Sequence, residues 1–290
     1  MSENPSLFPD RRKVMVGMAA TGVALTAHSR VNSAPKEKGG AIRKTQKTYV
    51  LVHGAWHGGW CWRDVAAPLL DAGHIVFTPS LTGLAERKHL LSPEIGLGTH
   101  IADIASLIEY YDLQNIILVG HSYGGMVITG LADNLKNRIS HIVYLDAALP
   151  KNGDTMISQG PPRNEAEIKE AEVGLRALAS DGIAMQAFPP EILGIAQSHP
   201  SYSWVAEKLT PHPLKTWLDP IKLLNGGSDG LNRTYIHCNS PALPNSSFQW
   251  HAQQLEKDES WRYHALATGH DAMITAPEKL ITILEQATTV

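Results

Sequence analysis

From residue 48 onward the chain alternates between short runs of β-branched and aromatic residues and longer stretches in which apolar side chains recur every three or four positions. Thr48 to His53 (TYVLVH) is of the first kind and predicts a strand, which opens directly into the glycine-rich segment His53 to Trp60 and then a helix near Trp62 to Ala72. Gly73 to Thr78 predicts a second strand, ended by Pro79. Ile101, Ile104, Ala105 and Ile108 share one face of a helix expected over Thr99 to Tyr111, and Asn115 to Gly120 is a continuous apolar run of the kind buried on both faces. Strands and helices alternating in this order predict an α/β fold with a mostly parallel central sheet covered by helices.

Further strands are expected at His141 to Asp146, Arg233 to Cys238 and Trp261 to Leu266, with a closing helix at Pro277 to Ala287. The stretch between the first two of these, approximately 150–230, is too long for a simple crossover. It holds a charged helical segment from Asn164 to Ser180, several prolines and scattered large apolar residues, a composition that suits a partly helical cap over one edge of the sheet. Met185, Phe188, Trp204 and Trp217 are spaced too irregularly for one helix face. Packing between cap and sheet and lining of an apolar substrate pocket are both open for them.

The first forty residues differ in character. Arg11-Arg12-Lys13 precedes the apolar run Val14 to Ala27, shorter than a membrane-spanning helix and shaped like the core of an export signal, and Ser29 to Gly40 reads as a linker. The expected organisation is a signal-like or disordered arm over 1–40 and a domain over 41–290 that carries the cap. A working twin-arginine-like signal implies a periplasmic or secreted protein, whereas a retained arm implies a cytoplasmic one. No stable membrane span is expected.

Composition narrows the partners. With 25 basic against 28 acidic residues, and no basic block able to follow a phosphate backbone, there is no electrostatic case for nucleic acid. The apolar fraction of 43% is ordinary for a globular chain, which leaves small molecules as the default partners. Cys61 and Cys238 lie in or beside apolar runs and are expected to be buried free thiols. Neither they nor the 14 histidines show metal-ligand spacing, so no metal and no organic cofactor is expected.

The sharpest chemical motif is Gly120-His-Ser-Tyr-Gly-Gly125, set between an apolar strand and the apolar segment Met126 to Leu131. A serine at the point of a tight strand-to-helix turn needs unusual dihedrals and small neighbours, and Gly120 and Gly124 supply the latter. Ser122 is therefore the candidate nucleophile. The Tyr123 amide, at the start of the following helix, can meet a developing oxyanion, and a second donor is expected from the strap after the first strand. Ala55 is assigned that role, with Trp56 as the alternative; Trp56 is also a pocket candidate, while Trp60 and Trp62 read as packing.

A serine hydroxyl needs a base, and His270 has the best context, in the loop Thr268-Gly-His-Asp271 before the final helix. His53 and His121 flank the two turns and are expected to orient backbone; His57, His89 and His100 are expected to be structural or pocket-lining. The acid is less direct. The loop Asn239 to Asn245 has no carboxylate, and Glu256, Asp258 and Glu259 read as solvated. Asp271, adjacent to His270, would have difficulty folding back to its ring. Asp146, at the end of the strand beside the nucleophile's own, is assigned as the acid, against the alternative that it only receives hydrogen bonds from its loop.

Leu51 to Trp60 (LVHGAWHGGW), Leu81 to Arg87 (LTGLAER), Gly120 to Gly125 (GHSYGG), Tyr144 to Ala147 (YLDA) and Thr268 to Met273 (TGHDAM) together resemble the α/β-hydrolase superfamily, over Thr48 to Glu285. The similarity is to the branch of bacterial carboxylesterases such as pyrethroid hydrolases, with plant methyl-salicylate esterases and hydroxynitrile lyases. It implies Ser122 as nucleophile, His270 as base and the Ala55 and Tyr123 amides as oxyanion donors. The plant members carry their acid after the penultimate strand, where this chain has none; a placement after the preceding strand, like that of pancreatic-type lipases, implies Asp146. Cyanohydrin-cleaving relatives carry a lysine after the catalytic histidine and a threonine in the strap, where this chain has Asp271 and Gly54. An aspartate there opposes departure of cyanide. The resulting expectation is a cofactor-independent serine carboxylesterase that takes esters with bulky apolar or aromatic groups, xenobiotics included. An amide hydrolase using the same site and a non-enzymatic small-molecule receptor are the competing readings.

Overall fold

The computed structural model describes residues 45–287 other than Ser180 and Asn245, and the arm expected over 1–40 lies outside the described residues. In chain order the elements are β1 (Thr48–Val52), α1 (Arg63–Asp71), β2 (Ile75–Phe77), α2 (Leu97–Tyr110), β3 (Ile116–His121), α3 (Gly124–Leu135), β4 (Ile139–Leu145), α4 (Glu165–Ala177), β5 (Ala184–Met185), α5 (Tyr202–Lys208), β6 (His212–Pro213), α6 (Lys215–Leu218), β7 (Arg233–Cys238), α7 (Phe248–Leu255), β8 (Arg262–Leu266), α8 (Ala272–Thr275) and α9 (Pro277–Ala287). Six strands form one sheet in the order β2-β1-β3-β4-β7-β8, and every neighbouring pair is parallel. The chain runs outward from β1 to β2 and then resumes on the other side of β1 with β3. The strand order thus reverses between β1 and β3, where the carboxyl ends of an open parallel sheet leave a crevice.

Alternation along each strand builds two cores. Val50, Val52, Ile116, Leu118, Ile142 and Tyr144 face α2, α3 and α7, whereas Tyr49, Leu51, Ile117, Val119, Val143 and Leu145 face α1, α8 and α9. Full burial of such a side chain contributes about 1.5–3 kcal/mol, so register is strongly fixed across the sheet. Cys61 and Cys238 are buried free thiols. The second strand is shorter than its sequence suggests, because Gly73 (φ +87°) belongs to the turn that ends α1.

Between β4 and β7 the chain leaves the sheet and forms α4, α5, α6 and a small antiparallel clasp of β5 with β6. Two-residue strands are too short for alternation to be visible, which is why the clasp escapes a reading of the pattern. The charged helix is present as expected. Asn164 accepts a hydrogen bond from the Glu167 amide while Glu167 accepts one from the Asn164 amide, a reciprocal cap that starts α4 at Glu165. Among the described residues no helix is long and apolar enough to cross a membrane.

Candidate active site

Ser122 sits between the end of β3 and the first turn of α3, with φ +55°. Such a conformation costs a non-glycine residue about 1–3 kcal/mol and persists only where the surroundings fix it. Here the Ser122 amide donates to the Leu145 carbonyl (3.2 Å), and its own carbonyl accepts from the Gly125 and Ala148 amides, both at 3.0 Å. Trp56 (φ +65°) and Asp146 (φ +41°) are held in the same backbone region at the ends of neighbouring elements. Three of the six described non-glycine residues with positive φ thus follow β1, β3 and β4 at the site.

The strap after β1 passes directly over the serine. A Cβ added at Gly54 would lie 2.8 Å from the Ser122 Cβ and 2.9 Å from His121 Nδ1, so only glycine allows this approach. His53 Nδ1 donates to the Gly54 carbonyl (2.8 Å) and His53 Nε2 accepts from the Leu81 amide (3.0 Å), which assigns one neutral tautomer. Burial lowers its pKa to about 3. The Trp56 amide donates to His212 Nδ1 (3.3 Å) and is thereby occupied. By contrast, among the described residues the buried amides of Ala55 and Tyr123 donate to no protein acceptor. Ala55 and Tyr123 therefore present two uncommitted donors, whereas the Trp56 amide is taken up by His212.

His270 and Asp146 meet across the sheet end. His270 Nδ1 donates to Asp146 Oδ2 at 2.7 Å, and Asp146 Oδ1 accepts from the Cys238 amide at 3.2 Å. Both side chains are buried. The imidazole stacks on Phe248 (centroids 5.5 Å, planes 13° apart), and the His270 carbonyl accepts from His121 Nε2 (3.1 Å). Asp271 is engaged by His57 instead, with Nε2 to Oδ2 at 3.1 Å, while its Oδ1 lies 3.7 Å from His121 Nε2. Potential ligand atoms of His121, His270 and Asp271 fall within 4.8 Å of one another. His121 Nε2 is committed to a carbonyl and His270 Nδ1 to Asp146, while His121 Nδ1 and Asp271 Oδ1 have no hydrogen-bond partner among the described residues.

Ser122 and His270 both line a cavity of about 440 Å³. Its walls are mostly apolar: Trp56, Phe188, Trp217 and Phe248 with Ile192, Leu193 and Leu243, and Arg163 among the polar residues. Trp56 packs edge-to-face on Phe188 (4.8 Å) and lies 5.8 Å from Trp217, so the strap and the cap share this wall. The other two pocket candidates are elsewhere. Met185 is fully buried in β5 and contributes its carbonyl, which accepts from Trp56 Nε1 (3.2 Å). Trp204 packs edge-to-face on Trp60 under the Arg63 guanidinium, on the α1 side of the sheet. An apolar residue in a cap sequence can face either layer, and its composition does not say which.

Phe248, Leu243 and Ile192 also line the cavity, yet each stands in a short loop or helix with no sequence motif to mark it. His57 and His100 prove to be buried, the latter bonded to the Tyr123 hydroxyl (2.9 Å) and the Thr82 carbonyl (2.9 Å). His89 lies in a short helical turn, within hydrogen-bond distance of the Glu86 carbonyl (3.2 Å), and does not line the cavity.

A serine on a strained strand-to-helix turn, at the carboxyl edge of a parallel sheet and beside a histidine–aspartate pair, defines the class to which this protein should be compared. The chain belongs to the alpha/beta hydrolase family, whose model matches residues 49–283. It is 40% identical over 236 residues to the carbendazim hydrolyzing esterase of Nocardioides sp. (strain SG-4G), covering 80% of this chain and 96% of that protein. Among solved structures, an extracellular alpha/beta-hydrolase from a Paenibacillus species has the same fold (TM-score 0.70, 24% identity, 83% of this chain and 98% of that one). So does a pyrethroid hydrolase from Sphingobium faniae JZ-2 (TM-score 0.64, 21% identity, 83% and 97%). The family resemblance drawn from the motifs holds, and the protein is a hydrolase.

Proposed function

We propose that the protein is a serine carboxylesterase that hydrolyses esters with bulky apolar or aromatic groups through an acyl-enzyme. The observation that carries this reading is the 2.7 Å bond between Asp146 and His270, with His270 and Ser122 lining one apolar cavity. In the first half-reaction His270 Nε2 takes the Ser122 proton and Oγ attacks the ester carbonyl. The tetrahedral oxygen is held by the Ala55 and Tyr123 amides, and Asp146 stabilises the imidazolium that forms. His270 then returns the proton to the leaving alcohol; a water, deprotonated by the same ring, releases the acid and restores Ser122. No step draws on a metal or an organic cofactor.

Four aromatic rings around about 440 Å³ favour a flat or branched apolar group over a charged peptide. The Nocardioides relative is named for hydrolysing carbendazim, which makes that compound a direct substrate to try here. The cap over approximately 150–230 supplies Phe188 and Trp217 to the pocket, and the first forty residues are taken as an arm outside the catalytic domain.

The test is p-nitrophenyl butyrate hydrolysis and labelling by a fluorophosphonate, with Ser122→Ala beside the parent. The parent is expected to turn over the ester and become labelled, and Ser122→Ala to lose on the order of 10⁴-fold or more in kcat together with the label. An unlabelled, inactive parent would leave a small-molecule receptor as the better reading. Turnover of the matching anilide at a comparable rate would make it an amide hydrolase.

A further inference from the structure

Behind the site, the strap that carries the Ala55 amide and the loop that carries His270 are joined by a second buried histidine–carboxylate pair. His57 Nε2 lies 3.1 Å from Asp271 Oδ2, and His57 Nδ1 lies 2.7 Å from the Ala55 carbonyl oxygen. Both neighbours are acceptors, so with Asp271 ionised both bonds form when the ring carries a proton on each nitrogen. Burial opposes that charge, but the Asp271 charge and the hydrogen bonds to Asp271 and to the Ala55 carbonyl together outweigh it and raise the His57 pKa. The His57 ring stacks on Trp60 (5.3 Å, 25°), Asp271 is wholly buried, and neither residue lines the cavity.

The consequence is clearest peptide by peptide. In the Gly54–Ala55 unit the carbonyl is held by His53 and the Ala55 amide is left free. In the Ala55–Trp56 unit the carbonyl is held by His57 and the amide by His212. Histidine contacts therefore fix the planes on both sides of Ala55 while leaving one donor uncommitted. At the other end Asp271 follows His270 in the chain, its amide donates to the Leu193 carbonyl (3.2 Å), and His121 holds the His270 carbonyl.

We propose that His57 and Asp271 form a brace, a positioning pair that fixes the oxyanion strap against the base loop so that the Ala55 amide and His270 meet the same tetrahedral intermediate. This rests on the reading of Ser122, His270 and Ala55 given above. Neither residue of the brace touches the reacting atoms. Its effect is to prevent a displacement on the order of 1 Å, enough to spoil an oxyanion contact.

The test uses the full chain with p-nitrophenyl butyrate, a fluorophosphonate to count reactive Ser122, and a trifluoromethyl ketone that Ser122 captures as a hemiketal oxyanion. His57→Phe keeps a ring on Trp60 and deletes both N–H bonds. Asp271→Asn instead keeps a partner for each nitrogen of a neutral His57, because its amide can donate to Nε2. His57→Phe is expected to lower kcat per titrated serine by about 10- to 100-fold with KM within about threefold, and to weaken the ketone in proportion to kcat/KM. Asp271→Asn is expected to stay within about fivefold of the parent. Because His57→Phe leaves a buried carboxylate unpaired, His57→Phe/Asp271→Asn is made as the variant able to fold without that charge. Should neither fold, His57→Gln, which cannot bridge both acceptors, takes their place. A folded variant of this group with parental kcat per titrated serine and parental ketone affinity overturns the brace, even if its Tm is lower. A parent that neither hydrolyses the ester nor reacts with fluorophosphonate overturns the esterase reading itself, a result distinct from an active parent with indifferent variants.

Discussion

His270–Asp146 and His57–Asp271 are two buried histidine–aspartate pairs, with the dipeptide His270-Asp271 contributing one member to each. In the first pair Nδ1 is committed to the carboxylate and the ring also lines the cavity beside Ser122. In the second, Nδ1 and Nε2 are both committed, to the Ala55 carbonyl and to Asp271, and the ring is sealed from the cavity. The same two side-chain types are thus suited to the different ends proposed for them. A histidine with one nitrogen free beside a hydroxyl can move a proton, whereas one with both nitrogens hydrogen-bonded to acceptors can only hold position.

The largest effect that separates the two pairs is expected from substituting each aspartate by asparagine. Asp146→Asn should cost on the order of 10²–10⁴ in kcat, because the imidazole loses both its fixed tautomer and the stabilisation of its cation, while the protein remains folded by circular dichroism. Asp271→Asn should cost far less. If the two losses were found in the reverse order, the catalytic and bracing assignments would have to be exchanged.

A second separation comes from pH. His53, held near 3, and His100, held near 4, stay neutral because burial disfavours their cations, whereas the unfolded chain takes up those protons near pH 6.5. Their contribution to stability is full above that pH and is lost as pH falls toward the folded values, by about 1.4 kcal/mol per pH unit for each group. His57 has the opposite sign: its raised pKa makes its contribution full below about pH 6.5 and lost as pH rises through the folded value. Urea midpoints measured from pH 4 to 9 should therefore fall on the acid side in the parent, and His100→Gln should flatten that acid slope. His57→Phe should lower the midpoints below the pH at which the His57 contribution is lost and so flatten the fall on the alkaline side; an unchanged alkaline slope would mean that the brace is not charged.

The smallest effects test the pocket against the packing behind it. Trp217→Ala and Phe188→Ala remove cavity wall and are expected to raise KM for a bulky aryl ester by about tenfold, with a smaller effect on kcat. Trp204→Ala should leave KM unchanged and lower only Tm, since that ring packs on Trp60. A KM change at Trp204 as large as that at Trp217 would contradict the cavity as described.

Much of the fold was legible because its signals are local. Continuous apolar runs at β3 and β4, helical spacing at α2 and the charged helical segment that begins at Asn164 are each local signals, where backbone preference and side-chain period decide the outcome. Ser122 was legible for the same reason, since the strained turn requires its glycines close by in sequence. The β5–β6 clasp and the cavity-lining Phe248 left no such mark.

The sequence by itself determined the order of strands and helices, the turn at Ser122 and the loop at His270, all of them properties of short segments. It offered Asp146 by the absence of a better-placed carboxylate and by its place at the end of the strand beside the nucleophile's own. Tertiary structure decided the rest, because those contacts join residues that no local rule connects: Asp146 to His270 across 124 positions, and His57 to Asp271 across 214. It likewise sent Trp217 to the cavity and Trp204 to the opposite layer. Which face an apolar residue of the cap meets, and which carboxylate a histidine meets, depend on strand order and on the docking of the cap, and these are set by burial summed over the whole chain.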